Sequence, residues 1–112
     1  MDNTKDDRYY VEKIKADLEF VIAHTEGKTK EEIESNDLLI DSIMFRIIQI
    51  AENNSKLSEP FKASHPDVPW LAIKGMRNRI VHDYGYVDLT IVYDTVMNGI
   101  PEMYRKLSAI QP

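Results

Sequence analysis

Cysteine is absent from this chain, which excludes disulfides, thiolate metal sites and cysteine nucleophiles. Glycine and proline are scarce, with four and five residues, and they punctuate stretches of helical periodicity. Long helices with short connections are therefore expected. No apolar run reaches the length of a membrane span. The opening residues, Met1 to Asp7, are polar and acidic, so no signal peptide and no membrane partner are expected, and the cytoplasm is the expected compartment. Positive charge is in deficit too: the net charge of −5 argues against general adhesion to nucleic acid. At 112 residues, one domain spanning 1–112 with one core is expected.

What is present reads as helix throughout. From Asp7 to about Thr25, Tyr10, Ile14, Leu18, Val21 and Ile22 recur at helical spacing, and Gly27 supplies a stop. Thr29-Lys30-Glu31-Glu32 fits a capping box opening a short helix. Asp37 to about Lys56 carries two adjacent apolar stripes, Leu39, Ile43, Ile47, Ile50 and Ile40, Met44, Ile48, Ala51. That is wider than one core-facing side requires, which suits either a central helix with several neighbours or a helix that also forms a dimer interface. Ser58-Glu59-Pro60 opens a short helix and His65-Pro66 closes it. Pro69 starts the next, which runs to His82 or Asp83, with Gly85 as its stop. Asp88 is placed to cap the last helix, and Pro101 should kink or split it near Asn98 to Ile100. The fold class is an all-α bundle.

One segment concentrates chemically capable side chains. Between Trp70 and Tyr86 three cations, Lys74, Arg77 and Arg79, stand against one anion, Asp83, in an otherwise acidic chain. On a helix, Ile73, Met76 and Ile80 face the core, while Asn78 and His82, four apart, share the opposite side. Arg77 lies five residues before His82, roughly 140° away around the helix. Either a helix end near His82 or a second copy of the chain is needed to bring the two together. Histidine suits proton transfer near neutral pH, and the guanidinium fork suits phosphate oxygens. The same histidine at a helix end also fits a capping or surface role.

The run Arg77-Asn78-Arg79-Ile80-Val81-His82-Asp83-Tyr84 carries an Arg-x4-His-x-Tyr pattern and resembles the HepT-like HEPN ribonuclease toxins. Val68-Pro69-Trp70 before it, Gly75-Met76 beside it, Val87-Asp88 after it and the Ile48 to Glu52 stretch upstream extend the resemblance over most of the chain. The resemblance implies a HEPN-like up-and-down bundle of about five helices, homodimeric, with the Arg and His of both protomers in one cleft. It further implies metal-independent endoribonuclease activity, by attack of the ribose 2′-hydroxyl to leave a cyclic phosphate, with tRNA among the candidate targets. Carried over by motif position, His82 is the general acid or base, Arg77 stabilises the pentacovalent phosphate, and Asn78 orients the phosphate or His82. No metal and no cofactor are implied. Tyr84 matches the tyrosine that a partner nucleotidyltransferase antitoxin (MNT type) modifies with AMP in a toxin–antitoxin system. Two departures stand out: Ala51-Glu52-Asn53 replaces a Gly-Glu-Ala run, and Gly85-Tyr86 follows where an aromatic often comes directly after the motif tyrosine.

The alternative is a non-catalytic HEPN subunit that binds substrate or serves as scaffold for the nucleotidyltransferase. Lys74 and Arg79 are placed to guide RNA, although Arg79 is equally placed to pair with Asp83. His24 and His65 read as surface residues. Trp70 and the tyrosines at 9, 10, 86, 93 and 104 suit base stacking or, as such residues more often do, core and rim packing.

Overall fold

The computed structural model describes residues 5–83 and 85–110, and all of its regular structure is helical. The segments are α1 (Asp7–Thr25), α2 (Lys30–Glu34), α3 (Asp37–Ser55), α4 (Glu59–Ser64), α5 (Trp70–Asp83), α6 (Leu89–Asp94) and α7 (Ile100–Ser108), with a π-helical turn, Thr95–Gly99, joining the last two. Long α1, α3, α5 and the split final helix form the bundle, and α2 and α4 are single short turns between them. This is the helical bundle expected of a HEPN-like chain.

The boundaries follow local hydrogen bonding. Asp6 caps α1 by accepting from the Tyr9 N–H, and Asp88 caps α6 by accepting from the Thr90 N–H. Thr29 and Glu32 form the reciprocal capping box, with the Thr29 N–H donating to Glu32 Oε1 at 2.8 Å. Gly27 and Gly85 hold φ of 77° and 93°, a left-handed backbone that other residues reach only under strain. At Pro101 the helix does change its winding. Ile100 donates to the carbonyl of Thr95, five residues back, which loosens the turn where the proline ring would meet the carbonyl four residues earlier.

Both apolar stripes of α3 are largely consumed by the chain itself. Leu39, Ile40, Ile43, Met44, Ile47, Ile50 and Ala51 are buried, and α3 packs against α1, α5 and α2. What α3 leaves outside is Leu38, 79% exposed, and Phe45, 56% exposed. The α1–α3 seam is pinned by Arg46, whose Nη1 donates to nearly buried Asp17 at 2.7 Å while its guanidinium lies 3.8 Å over the Phe20 ring.

Three contacts position the segment of interest. Ile73, Met76 and Ile80 bury the inner face of α5. Asn54, at the end of α3, donates its amide to the Trp70 carbonyl at the start of α5, so the two helices run in opposite senses. The Trp70 indole N–H is shared between the carbonyls of Lys62 (3.2 Å) and His65 (3.0 Å), which locks α4 against α5. Asp7 reaches across to α4, accepting from both the N–H and the hydroxyl of Ser58, the residue that caps it.

Candidate active site

Helix α5 displays its side chains as its periodicity requires: apolar residues inward, Arg77 and Asn78 half-buried at the flank, His82 exposed in the last turn. The flank faces α3. There the Arg77 guanidinium is held twice, Nη2 lying 3.2 Å from Oε1 of Glu52 and Nη1 donating to Oδ1 of Asn78 at 3.1 Å. Its Nε–H is buried and has no hydrogen-bond partner among the described residues. The fork is thereby oriented, with donors to spare for an anion.

Arg77 and Asn78 stand on the edge of a groove of about 970 Å³, walled by the end of α3, by α4 and by the first turns of α5. Asn54, Lys62, Trp70 and Lys74 also line it. His82 is outside that lining. Spacing alone puts Asn78 beside His82; the structure turns the Asn78 amide to Arg77 instead. Arg77 and Asn78 are brought together, and His82 stays apart within one protomer. As expected from its sequence, α5 ends at Asp83, which leaves His82 exposed in its last turn. Tyr84 lies outside the described residues.

The remaining candidates separate clearly. Lys74 and Arg79 are exposed and make no ion pair among the described residues, so the Arg79–Asp83 pair is not formed. His24 is a surface residue whose Nδ1 lies 2.8 Å from the Phe20 carbonyl. His65 is half-buried instead of fully at the surface: it ends α4, packs its ring on Phe61 and offers its carbonyl to Trp70. Trp70 and Tyr104 are structural, Trp70 bracing α4 and Tyr104 donating its hydroxyl to Glu19. Tyr86 is 92% exposed. Among the described residues no three histidine or carboxylate side chains converge as a metal site.

Sequence reading missed Glu52, Asn54 and Lys62. No periodicity signals them, because they reach the site through packing of other helices on α5, Glu52 and Asn54 from α3 and Lys62 from α4.

Comparison with known proteins places the chain in a family. The family model described as "Ribonuclease HepT-like" matches residues 14–110. A protein of Caldanaerobacter subterraneus subsp. tengcongensis named "Putative RNase TTE0752" is 30% identical over 106 residues, covering 95% of each chain. "Probable ribonuclease HepT" of Thermococcus cleftensis is 29% identical over 107 residues, covering 91% of this chain and 93% of that one. No solved structure matches. With the family model spanning most of the chain and a relative aligned over nearly its whole length, this protein belongs to the HepT-like ribonuclease family of HEPN proteins.

Proposed function

We propose that the chain is a metal-independent endoribonuclease, the toxin of a toxin–antitoxin pair, acting as a homodimer. The observation that carries this reading is Arg77, oriented by Glu52 and Asn78 at the edge of a groove, in a chain of a ribonuclease family.

In this mechanism a base removes the proton of a ribose 2′-hydroxyl as its oxygen attacks the adjacent phosphorus. The bond to the 5′-oxygen breaks, that oxygen takes up a proton, and a 2′,3′-cyclic phosphate is left. His82 is the proton-transfer group, and Arg77 neutralises charge on the pentacovalent phosphate. Asn78 holds Nη1 of the Arg77 fork while Glu52 holds Nη2. A histidine remote from its own groove is the reason for a dimer: each cleft is completed by residues of both protomers. Support for that interface comes from the exposed apolar side chains around it. Leu38 and Phe45 lie seven residues apart on the α3 stripe that leads to Glu52, and exposed Val81 lies one turn beyond Arg77.

Regulation is assigned to Tyr84. Its phenolic oxygen attacks the α-phosphate of ATP on a nucleotidyltransferase antitoxin, its proton and pyrophosphate leave, and an anionic AMP group remains on Tyr84. Such a group excludes RNA by bulk and by like charge.

The experiment is RNA cleavage by purified wild type beside Arg77→Ala and His82→Ala, with sedimentation to give the oligomeric state. Cleavage by wild type, to cyclic-phosphate ends and in the presence of a chelator, and its loss in both variants, is the expected result. An inactive wild type that still binds nucleotide would instead favour the scaffold-subunit reading. Intact mass after co-expression with the antitoxin tests Tyr84: an added AMP is expected, and its persistence in Tyr84→Phe would refute the assignment.

A further inference from the structure

We propose that the groove beside Arg77 holds the single-stranded RNA that flanks the scissile phosphate, with Lys62 and Lys74 on its phosphates. This rests on the reading of the chain as a ribonuclease, and it adds the path of the substrate and a binding residue, Lys62, on a different helix.

The groove is continuous with Arg77 and Asn78, so a strand whose phosphate meets Arg77 must extend along it or away from it. Its cations are poised for exchange. Lys62 is only 21% exposed, with its ammonium 3.3 Å from Glu59, which is itself 89% exposed. Because the Glu59 carboxylate is so open to water, the pair contributes at most about 1 kcal/mol, and a phosphate displaces that carboxylate at little cost. Lys74, on the facing wall, has no ion-pair partner among the described residues. The wall carrying Lys62 is rigid, since its carbonyl accepts from the Trp70 indole, and a site already ordered loses less on binding.

Unsatisfied polar atoms point to the same place. Among the described residues, three buried side-chain atoms lack a hydrogen-bond partner: Oε2 of Glu34, Oδ1 of Asn54 and Nε of Arg77. The Glu34 oxygen is 3.7 Å from the Lys30 ammonium, which accounts for it. The other two both belong to groove-lining residues. One is a donor and the other an acceptor, and a small side-chain shift that uncovers them would let the first meet a phosphate oxygen and the second a ribose hydroxyl or a base amino group. Exposed Leu71 at the same groove offers an apolar surface to a base. Donor, acceptor and apolar contact together match a nucleotide better than a bare anion.

The test is the salt dependence of binding to a short 2′-O-methyl RNA oligonucleotide, which lacks the attacking hydroxyl. Full-length wild type, Lys62→Ala, Lys62→Arg, Lys74→Ala and, as a control on α1, Lys13→Ala are compared by fluorescence anisotropy, with folding of each checked by circular dichroism. Each phosphate contact on a single strand contributes about 0.7 to the slope of log K against log salt. Lys62→Ala and Lys74→Ala should each lower the slope by about that amount. Lys62→Arg should keep it, and Lys13→Ala should leave it unchanged. Unaltered slopes in the Lys62 and Lys74 variants, an equal drop in Lys13→Ala, or no binding by wild type would overturn the proposal. Cleavage is assayed separately on ordinary RNA. Cleavage with unaltered slopes sinks the groove and spares the ribonuclease; the slope change without cleavage does the reverse.

Discussion

Arg77 of α5 and Glu52 of α3 meet across the helix seam, Nη2 to Oε1 at 3.2 Å, with the two side chains 35% and 48% exposed. Charges so accessible to water add little to folding, within about 1 kcal/mol. Their value is orientation of the fork. Glu52→Ala should therefore leave the thermal midpoint almost unmoved while lowering single-turnover RNA cleavage roughly tenfold to a hundredfold, as misplacement of a catalytic group does. Arg77→Ala should cost more, about 100- to 1,000-fold in rate, because the donors themselves are removed. A Glu52→Ala protein that cleaves at the wild-type rate would show that the pair is incidental.

Ile80 is fully buried one turn beyond Arg77 and anchors α5 to the core. Truncation to alanine leaves a cavity, and about 2–5 kcal/mol of stability should be lost. Urea unfolding followed by circular dichroism measures this directly. A change below 1 kcal/mol would mean that the α5 seam is packed more loosely than described.

Gly75 sits in the middle of α5 on its outer side, and a β-carbon built there meets nothing within 4 Å. Glycine in a helix interior costs about 0.5–1 kcal/mol relative to alanine. Gly75→Ala should raise the stability of the chain by that amount. A lower midpoint in thermal or chemical unfolding would contradict it.

The capping box of α2 has an acid-labile half. The carboxyl of Glu32 is held below its ordinary 4.5, first by the Thr29 N–H that it accepts and then by the Thr29 hydroxyl. A lowered folded-state pKa means that the group stabilises the fold fully above its ordinary value. That contribution is lost as pH falls through the lowered one. Stability measured from pH 6 down to pH 3 should therefore decline less steeply in Glu32→Gln than in wild type. Parallel curves would show that the box does not titrate with folding.

Helix ends were legible in the residues themselves. Thr29 with Glu32, Ser58 before Pro60, Asp88, and glycines 27 and 85 each act through backbone groups within a turn, so their effect travels no further than the local chain. Pro101 is legible for the same reason. The inward set Ile73, Met76 and Ile80 follows from a repeat of 3.6 residues, which any amphipathic helix must obey.

Partners across helices were not legible. Spacing places Asn78 with His82, yet its amide goes to Arg77, because the guanidinium is drawn to the α3 side by Glu52. Spacing likewise allows Arg79 to meet Asp83, but exposed side chains in water gain too little from the pairing to be held there.

The sequence by itself determined that this chain is helical, where its helices begin and end, and that Arg77, Asn78 and His82 share one helix, because propensity, capping and periodicity are short-range properties. Only the tertiary structure decided which of them form a site. The antiparallel docking of α5 on α3 delivers Glu52 to Arg77, the Trp70 brace adds Lys62 to the same groove, and His82 is left on the outer face. That choice depends on the register and crossing of packed helices, which side chains distant in sequence set jointly and no local pattern records.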